Sequence, residues 1–560
     1  MNGTSWVVHP SHEKAQTLAE ALNIHPIVVD VLLRRGFDTE AEIFSFLNPS
    51  LDSLQDPFVF HDMKKAVERI HRAIAAGEKI LIYGDYDVDG VTASAILYPI
   101  LKKMGAQVEA YVPHRVKDGY GLNTESLKQW VKQKITLVIT VDNGITGIEP
   151  VRYLKENGID AILVDHHIPK EELPPAYAII SAAVHDRKGD PNLAACGLAF
   201  KLGWALTGSF EDVKEHLDLV ALGTVADLAP VLGDNRILLK LGLAAIAKTK
   251  KVGLRALMDS AGIVPQRISY RDLAFGLGPR VNASGRMGTP LNAFRLLTTE
   301  NPVEARNLAL ILEEGNRDRQ RVEQQAFQEA AKFVENHLKP EQRHVIIVES
   351  ADWHEGVLGI VAARLVDRFQ RPSIVISIKE GIGKGSGRSI PSFSIFDTVA
   401  PFEDLLMSFG GHAQACGLTI REESLPLFRE RINRIAGTLE PAFLSTSRKI
   451  DAELLPREIT LKFVKDLEKL APFGPGNPNP LFLSRGLRLR GEVRKRGKDT
   501  LQCWMTDEEE KVTCEVIGFR CYEKWQEISR KKTSFEVAYR PALKNFNGIE
   551  TIQLELESWQ

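Results

Sequence analysis

The stretch LIYGDYDVDGVTAS, residues 81–94, carries aspartates at three alternate positions, Asp85, Asp87 and Asp89, followed by Gly90. An EF-hand loop opens in the same way, but it requires a bidentate glutamate at its twelfth position and a helix on either side. Here the twelfth position is Ile96, the preceding KILIY is an apolar run of strand type, and the following VTASAILYPILKKM has helical spacing. The stretch therefore predicts a strand-to-helix crossover. In an open parallel sheet the carboxyl ends of the strands are where ligands bind, so a carboxylate cluster there is placed for chemistry.

Working outward, the apolar runs KILIYG, QVEAYV, TLVITV, DAILVD and YAII alternate with helical pattern. Spacings of roughly 25–30 residues fit consecutive βαβ units, an α/β domain on a parallel sheet. This first domain is expected over residues 61–300, after a helical lead-in at 1–60 punctuated by Pro10, Pro26, Pro49 and Pro57. No proline falls between Pro302 and Pro340, and the charged, alanine-rich composition there predicts a long connecting helix at 301–338. A second α/β pattern follows at 339–448 with HVIIV, GIVAARLVDRF and SIVISI. From 449 to 560 short strand-like runs such as LRLRGEV, TLQCWM, VTCEVIGF and TIQLELESW predict a small β-barrel.

At 560 residues the chain is too long for one core. Its 44% hydrophobic content, 26% charged content and net charge of −2 select no partner, so a nucleic-acid partner must be met by local charge. There is no apolar run of membrane-spanning length and no basic, apolar leader at MNGTSWVVHPSHEK, which predicts a cytoplasmic protein without a membrane anchor. The five cysteines never form a CxxC pair, which argues against a disulfide framework or a zinc site.

Three further chain ends carry acidic or imidazole groups. TLVITV runs into Asp142, AILVD ends in Asp165 followed by His166 and His167, and DLVALGTVADLAP places Asp227 after an apolar stretch. Oxygen ligands with one or two histidines suit manganese or magnesium. So many groups exceed the needs of one ion, whereas two ions ~3.5–4 Å apart clamp a phosphodiester for in-line attack by water. Any one aspartate after a strand is often only a helix N-cap, and a lone histidine is usually a satisfied one. All of them together favour the metal.

GDYDVDG, VDNG, DHH and GTVADLAP, in that order, resemble the four motifs of the DHH phosphoesterase superfamily. FGLGPRVNASGRMG, WHEGVLGIVAARL, GKGSGRSI, FGGHAQACGLTI and PFGPGNPNPLF extend the resemblance to its RecJ branch, bacterial exonucleases of single-stranded DNA. The resemblance implies a DHH domain, a DHH-associated domain and a terminal oligonucleotide-binding (OB) fold. It implies two Mn²⁺ or Mg²⁺ ions held by Asp87, Asp89, Asp142, His166 and Asp227, with Asp142 as bridge. Asp85 and His167 would act beside them, His167 donating to a scissile phosphate oxygen. It further implies 5′ to 3′ polarity, a place in DNA repair and recombination, and a monomer working with a single-stranded-DNA-binding protein and a helicase. The rival enzyme reading is a DHH phosphodiesterase for short oligonucleotides or cyclic dinucleotides, which lacks the long terminal barrel. A binding protein that has lost its catalysis is opposed by the intact acidic set. Ser181 and Ala182 stand where such proteins usually carry Asn-Pro.

For the nucleic acid, the glycine-rich loop GKGSGRSI offers Lys384, Ser386 and Arg388, and GGHAQACG offers His412. The GPRVNASGR loop adds Arg280, Asn282 and Arg286, and YVPHR adds Arg115. In the barrel, RGLRLRGEVRKRGK (485–498) has seven basic residues, among them Arg494, Lys495 and Arg496, against Glu492 alone. Such a run suits sequence-neutral single-strand binding. Trp504, Phe519, Tyr522 and Trp525 follow it and are expected mostly in the barrel core.

Overall fold

The computed structural model describes residues 6–114, 121–184, 188–339, 343–443, 448–529, 533–546 and 548–560. The chain forms two compact units, one of residues 55–229 and 238–445, the other of residues 1–54, 230–237 and 446–560.

The first unit contains a five-stranded parallel sheet in the order Gln107–Tyr111, Lys79–Tyr83, Leu137–Val141, Asp160–Val164, Ala178–Ile180. Leu137–Val141 is buried at every position, as expected of a parallel strand covered on both faces. From Lys79–Tyr83 the chain goes first to one side of the sheet and later to the other. The order therefore switches between Lys79–Tyr83 and Leu137–Val141, and the loops after these two strands carry Asp85 to Asp89 and Asp142.

The 36-residue helix Pro302–His337 begins with Asn301, whose side chain accepts from the Val303 and Glu304 amides, and with proline at its first position. It leads to a second five-stranded sheet in the order Leu406–His412, Ala415–Arg421, Ile382–Arg388, Ser373–Lys379, Ile346–Ser350. Only the last pair is parallel.

In the second unit seven strands form a mixed sheet, and an extra pairing of Phe482–Leu489 with Thr500–Thr506 bends it into a partial ring, consistent with an OB fold. Its core is not the barrel's alone. Val28, Leu32 and Ile43 from the N-terminal helices share one cluster with Phe463, Phe482 and Trp525. Strand Trp6–Val8 pairs in parallel with Arg448–Ile450. Buried Arg236 donates to the carbonyls of Phe46, Lys469, Leu470 and Ala471, and burial lowers its guanidinium to about 10. The lead-in helices are thus part of the barrel unit.

Two stretches expected as loops are regular structure. GKGSGRSI lies largely in the strand Ile382–Arg388, and GPRVNASGR lies in the helix Gly278–Met287. Along the strand, Cβ atoms at Gly383, Gly385 and Gly387 would meet Ile376, Leu418 and Cys416 at 2.6–2.9 Å. The glycines make room for the neighbouring strands' core side chains, a packing reason that outweighs glycine's poor strand propensity.

Candidate active site

Each acidic side chain is aimed by the end of an element. Asp87 caps the helix Val88–Lys103, its Oδ1 accepting from the amides of Asp89 and Gly90 at 3.0 and 3.2 Å. The N-cap role thus holds for Asp87, and it occupies one carboxylate oxygen. Asp89 accepts from the Ala195 and Cys196 amides at 2.7 and 2.9 Å, at the start of the helix Ala195–Thr207, which has no side-chain cap of its own. Asp142 follows its strand at φ 66°, a left-handed conformation that Asp and Asn tolerate better than most residues. Asp227 stands at the end of the helix Leu217–Ala226.

These ends converge. Asp85, Asp87 and Asp142 form one group whose oxygens lie within 4.8 Å of one another. Asp89, His166 and Asp227 form a second such group, and Asp142, His166 and His167 a third. Asp142 thus belongs to two of the three. His166 Nε2 is buried and makes no hydrogen bond, yet it faces Asp142 Oδ1 at 3.3 Å and the Asp89 and Asp227 Oδ2 atoms at 3.9 Å each. A ring nitrogen left unbonded among three carboxylates fits a place meant for a cation.

The electrostatics agree. Burial first, then the surrounding carboxylates, pushes Asp142 well above the usual carboxylate range. Asp227 is pushed up to about 9 by burial and by Asp89 and Asp87. Burial and the neighbouring Asp87 likewise raise Asp85. The free carboxylates repel one another, and a divalent cation relieves that repulsion. His167 differs. Burial opposes its charge, but Asp165 Oδ1, 2.7 Å from its Nδ1, raises it to about 9. Asp165 is held below the ordinary range by its hydrogen bonds to His167 and the Ile145 amide, which outweigh its burial.

Gly223 is a contributor with no mark in the sequence, and Asp165, visible there as a strand-end acid, takes a role that spacing did not assign. Spacing alone does not show which way the first residue of the DHH triplet points, and here it orients His167. A Cβ at Gly223 would lie 2.4 Å from Thr92 Oγ1, 2.6 Å from Cys196 Sγ and 2.9 Å from Asp89 Oδ1. Gly223→Ala is expected to cost about 1–3 kcal/mol of stability by overpacking. Because the strain falls on Asp89, it should also weaken the manganese-induced rise in melting temperature, measured by scanning calorimetry with and without the metal.

The residues expected at the nucleic acid fall into several groups. In the strand Ile382–Arg388, alternation puts Lys384, Ser386 and Arg388 on one face. Arg388 Nη1 donates to Ser386 Oγ at 3.2 Å and to the Gly387 carbonyl at 2.7 Å. A Cβ at Gly359, in the first turn of the helix Leu358–Phe369, would lie 2.8 Å from Arg388 Nη2 and 3.0 Å from Ser386 Oγ. His412 is exposed and shares a sheet row with Ala415 and Arg388. Arg280 is engaged elsewhere, donating to Glu313 at 2.6 Å and to the Gly276 carbonyl at 2.7 Å. Asn282 is half-buried, and Arg286 donates to the Gly356 carbonyl at 3.1 Å. Arg115 lies outside the described residues. At the strand end beside Asp165, Ser181 Oγ accepts from the Ala183 amide at 3.2 Å, which forms the local turn.

In the second unit Arg494, Lys495 and Arg496 form an exposed strand. Arg494 lies over Trp504, Lys495 over Tyr522, and Arg496 donates to Gln502. Trp525 is fully buried, whereas Phe519 is exposed.

Residues 79–224 match the DHH family, N-terminal domain, residues 342–438 the DHHA1 domain and residues 450–558 the RecJ OB domain. The chain is 38% identical to the single-stranded-DNA-specific exonuclease RecJ of Bacillus subtilis over 92% of its own length, and spans 65% of that relative. It is 32% identical to the RecJ of Haemophilus influenzae, with 96% of each chain covered. The crystal structure of RecJ in complex with Mn²⁺ from Thermus thermophilus superposes with a TM-score of 0.85 at 29% identity, covering 99% of this chain and 79% of that one. Fold, motifs and relatives agree, and the chain belongs to the RecJ family of single-stranded-DNA-specific exonucleases.

Proposed function

We propose that this chain is a metal-dependent exonuclease that hydrolyses single-stranded DNA from the 5′ end towards the 3′ end, in DNA repair and recombination. The observation that carries the reading is the buried carboxylate cluster around His166 Nε2, a ring nitrogen without a hydrogen bond. Asp87, Asp89, Asp142, His166 and Asp227 would hold two Mn²⁺ or Mg²⁺ ions, Asp142 being the carboxylate that belongs to two of the three groups. Such ions, when bound, polarise the scissile phosphate and lower the pKa of the attacking water. Asp85, buried beside Asp87, supports the acidic wall. His167, held by Asp165 Oδ1 2.7 Å from its Nδ1, donates to a phosphate oxygen as negative charge builds there. Ser386, Arg388 and His412 bind the 5′ end, with Arg115 joining them, while Asn282 and Arg286 steady the strand. Arg280 acts there only by exchanging its Glu313 partner. The enzyme works as a cytoplasmic monomer, supplied with strands by a helicase and a single-stranded-DNA-binding protein.

The test is release of nucleotides from single strands labelled at either end, with manganese, with magnesium and with chelator. Early release of the 5′ label with metal alone is expected. Release from the 3′ end, or cleavage confined to dinucleotides, overturns the reading.

The barrel is proposed to hold the strand through Arg494, Lys495 and Arg496. Deleting the barrel would expose the apolar faces of the N-terminal helices, so substitution is the cleaner test. Changing all three residues to glutamine should lower the slope of log affinity against log salt by about 2, at ~0.7 for each phosphate no longer neutralised. An unchanged slope in binding titrations from low to high salt would remove these residues from the interface.

A further inference from the structure

Exposed apolar side chains flank this acidic cluster. Ile168 follows His167 directly and is 85% exposed; Leu228 follows Asp227 and is 63% exposed. Phe275, 75% exposed, stands on a segment packed against the helix that ends at Asp227. Single exposed hydrophobics are ordinary on protein surfaces, but Phe275 is held in an unusual way.

Phe275 lies in a five-residue π-helix, Leu273–Leu277, between the short helix Tyr270–Asp272 and the helix Gly278–Met287. Leu273 and Leu277 are buried and anchor the turn, while Phe275 points into solvent. π-turns are rare and occur often at functional sites. Arg280 braces this one by donating to the Gly276 carbonyl while paired with Glu313. The segment is also fixed against the acidic cluster at two places. A Cβ at Gly278 would lie 3.3 Å from Ala226 Cβ, one residue before Asp227. A Cβ at Gly285, on the adjoining helix, would lie 2.6 Å from the carbonyl of Tyr86, between Asp85 and Asp87. The phenyl ring is therefore presented to solvent by a braced frame that packs against the helix ending at Asp227.

We propose that Phe275 is a stacking platform for an unpaired base of the bound strand, and so a determinant of single-strand specificity. The proposal rests on the nuclease reading above. A flat exposed ring on a segment packed against the helix that ends at Asp227 suits a base because every base has a face to stack, whatever the sequence. Bases in a duplex are stacked on both faces and paired at their edges, so only an unpaired base can reach the ring. Phe275 is a positioning residue: it sets the register of the strand and touches neither the reacting phosphate nor the cations.

The test uses the full chain with manganese, the substitutions Phe275→Ala and Phe275→Trp, and 5′-phosphorylated single strands bearing one abasic site at successive positions from the 5′ end. Wild type should lose roughly 5–150-fold in kcat/KM when the abasic site falls at one particular position. Phe275→Ala should lose a similar factor on the intact strand, mainly through KM, and no longer register the abasic site at that position. Phe275→Trp should restore both behaviours. The manganese-induced thermal shift should be the same in all three proteins. An alanine variant within twofold of wild type on the intact strand, with an unchanged abasic profile, overturns the proposal and leaves the ring to a protein partner. If wild type releases no nucleotide from any strand, the nuclease reading has failed instead. Equilibrium binding of the same strands then tests the platform by itself, and equal affinities for wild type and Phe275→Ala overturn it.

Discussion

Asp142→Asn is expected to abolish cleavage, with a loss of roughly 10³-fold or more, while single-strand affinity stays within a few-fold of wild type. Asparagine suits the test because it tolerates the φ of 66° at this position, which alanine would strain. The substitution therefore removes a charge and leaves the turn in place. Asp142 stands in two of the three groups able to hold a cation, so its neutralisation should weaken both at once. Stabilisation of transition-state charge by such a site amounts to several kcal/mol, and about 4 kcal/mol corresponds to a thousandfold. A second readout has the opposite sign. Burial and four neighbouring aspartates raise Asp142 well above its ordinary range, so in metal-free protein its ionisation is disfavoured by folding. For an acid raised in this way, stability falls as pH climbs from the unfolded value towards the folded one. In chelator near pH 8, Asp142→Asn should therefore melt above wild type, and added manganese should stabilise it less. A variant that cleaves within tenfold of wild type, or that melts lower in chelator, would sink the shared-carboxylate assignment.

How much of this was legible in the sequence depends on where each signal resides. The inner strand Leu137–Val141 was visible as an apolar run because a parallel strand buried on both faces is hydrophobic along its whole length, whereas the edge strand Gln107–Tyr111, QVEAY, has no buried position and keeps Gln107 and Glu109 exposed. The acidic residues were visible because each sits at or beside an element end, Asp85, Asp87, Asp142 and Asp165 after apolar strands and Asp227 after the helix Leu217–Ala226. The strand Ile382–Arg388 was misread as a loop because glycine at alternate positions is a turn signal locally. Its reason is tertiary, since Ile376, Leu418 and Cys416 occupy the space that side chains would fill. The helix Gly278–Met287 was hidden in the same way by Gly278, Pro279, Asn282 and Gly285. Two of its glycines pack against Ala226 and Tyr86, far away in sequence. The union of the N-terminal helices with the barrel, through Val28 and Trp525 in one core, left no mark in either segment alone. Neither did the engagement of Arg280 by Glu313, because an arginine in a motif does not announce its partner.

Arg388→Ala is expected to lower kcat/KM on 5′-phosphorylated strands by about tenfold to a hundredfold, and to matter much less on strands with a 5′ hydroxyl. A terminal phosphate differs from an internal diester by roughly one extra negative charge and a free oxygen, which a guanidinium and a hydroxyl can recognise together. Ser386 and Arg388 stand side by side, joined at 3.2 Å, against Gly359 in the first turn of the helix Leu358–Phe369. The start of that helix has no side-chain cap, and its amides and dipole favour an anion at the same place. Charge-assisted hydrogen bonds contribute roughly 1.5–3 kcal/mol each, which sets the size of the expected loss. Two enzymes measured against two kinds of end form a cycle, and the cycle isolates the coupling between Arg388 and the terminal phosphate from any general loss of strand binding. Repeating it with Ser386→Ala should give a smaller coupling of the same sign, because a neutral hydroxyl contributes less than a guanidinium. Equal losses on both ends would mean that Arg388 only grips the backbone. Recognition of the end would then shift to His412, which shares its sheet row, rather than to Arg280, which Glu313 already holds.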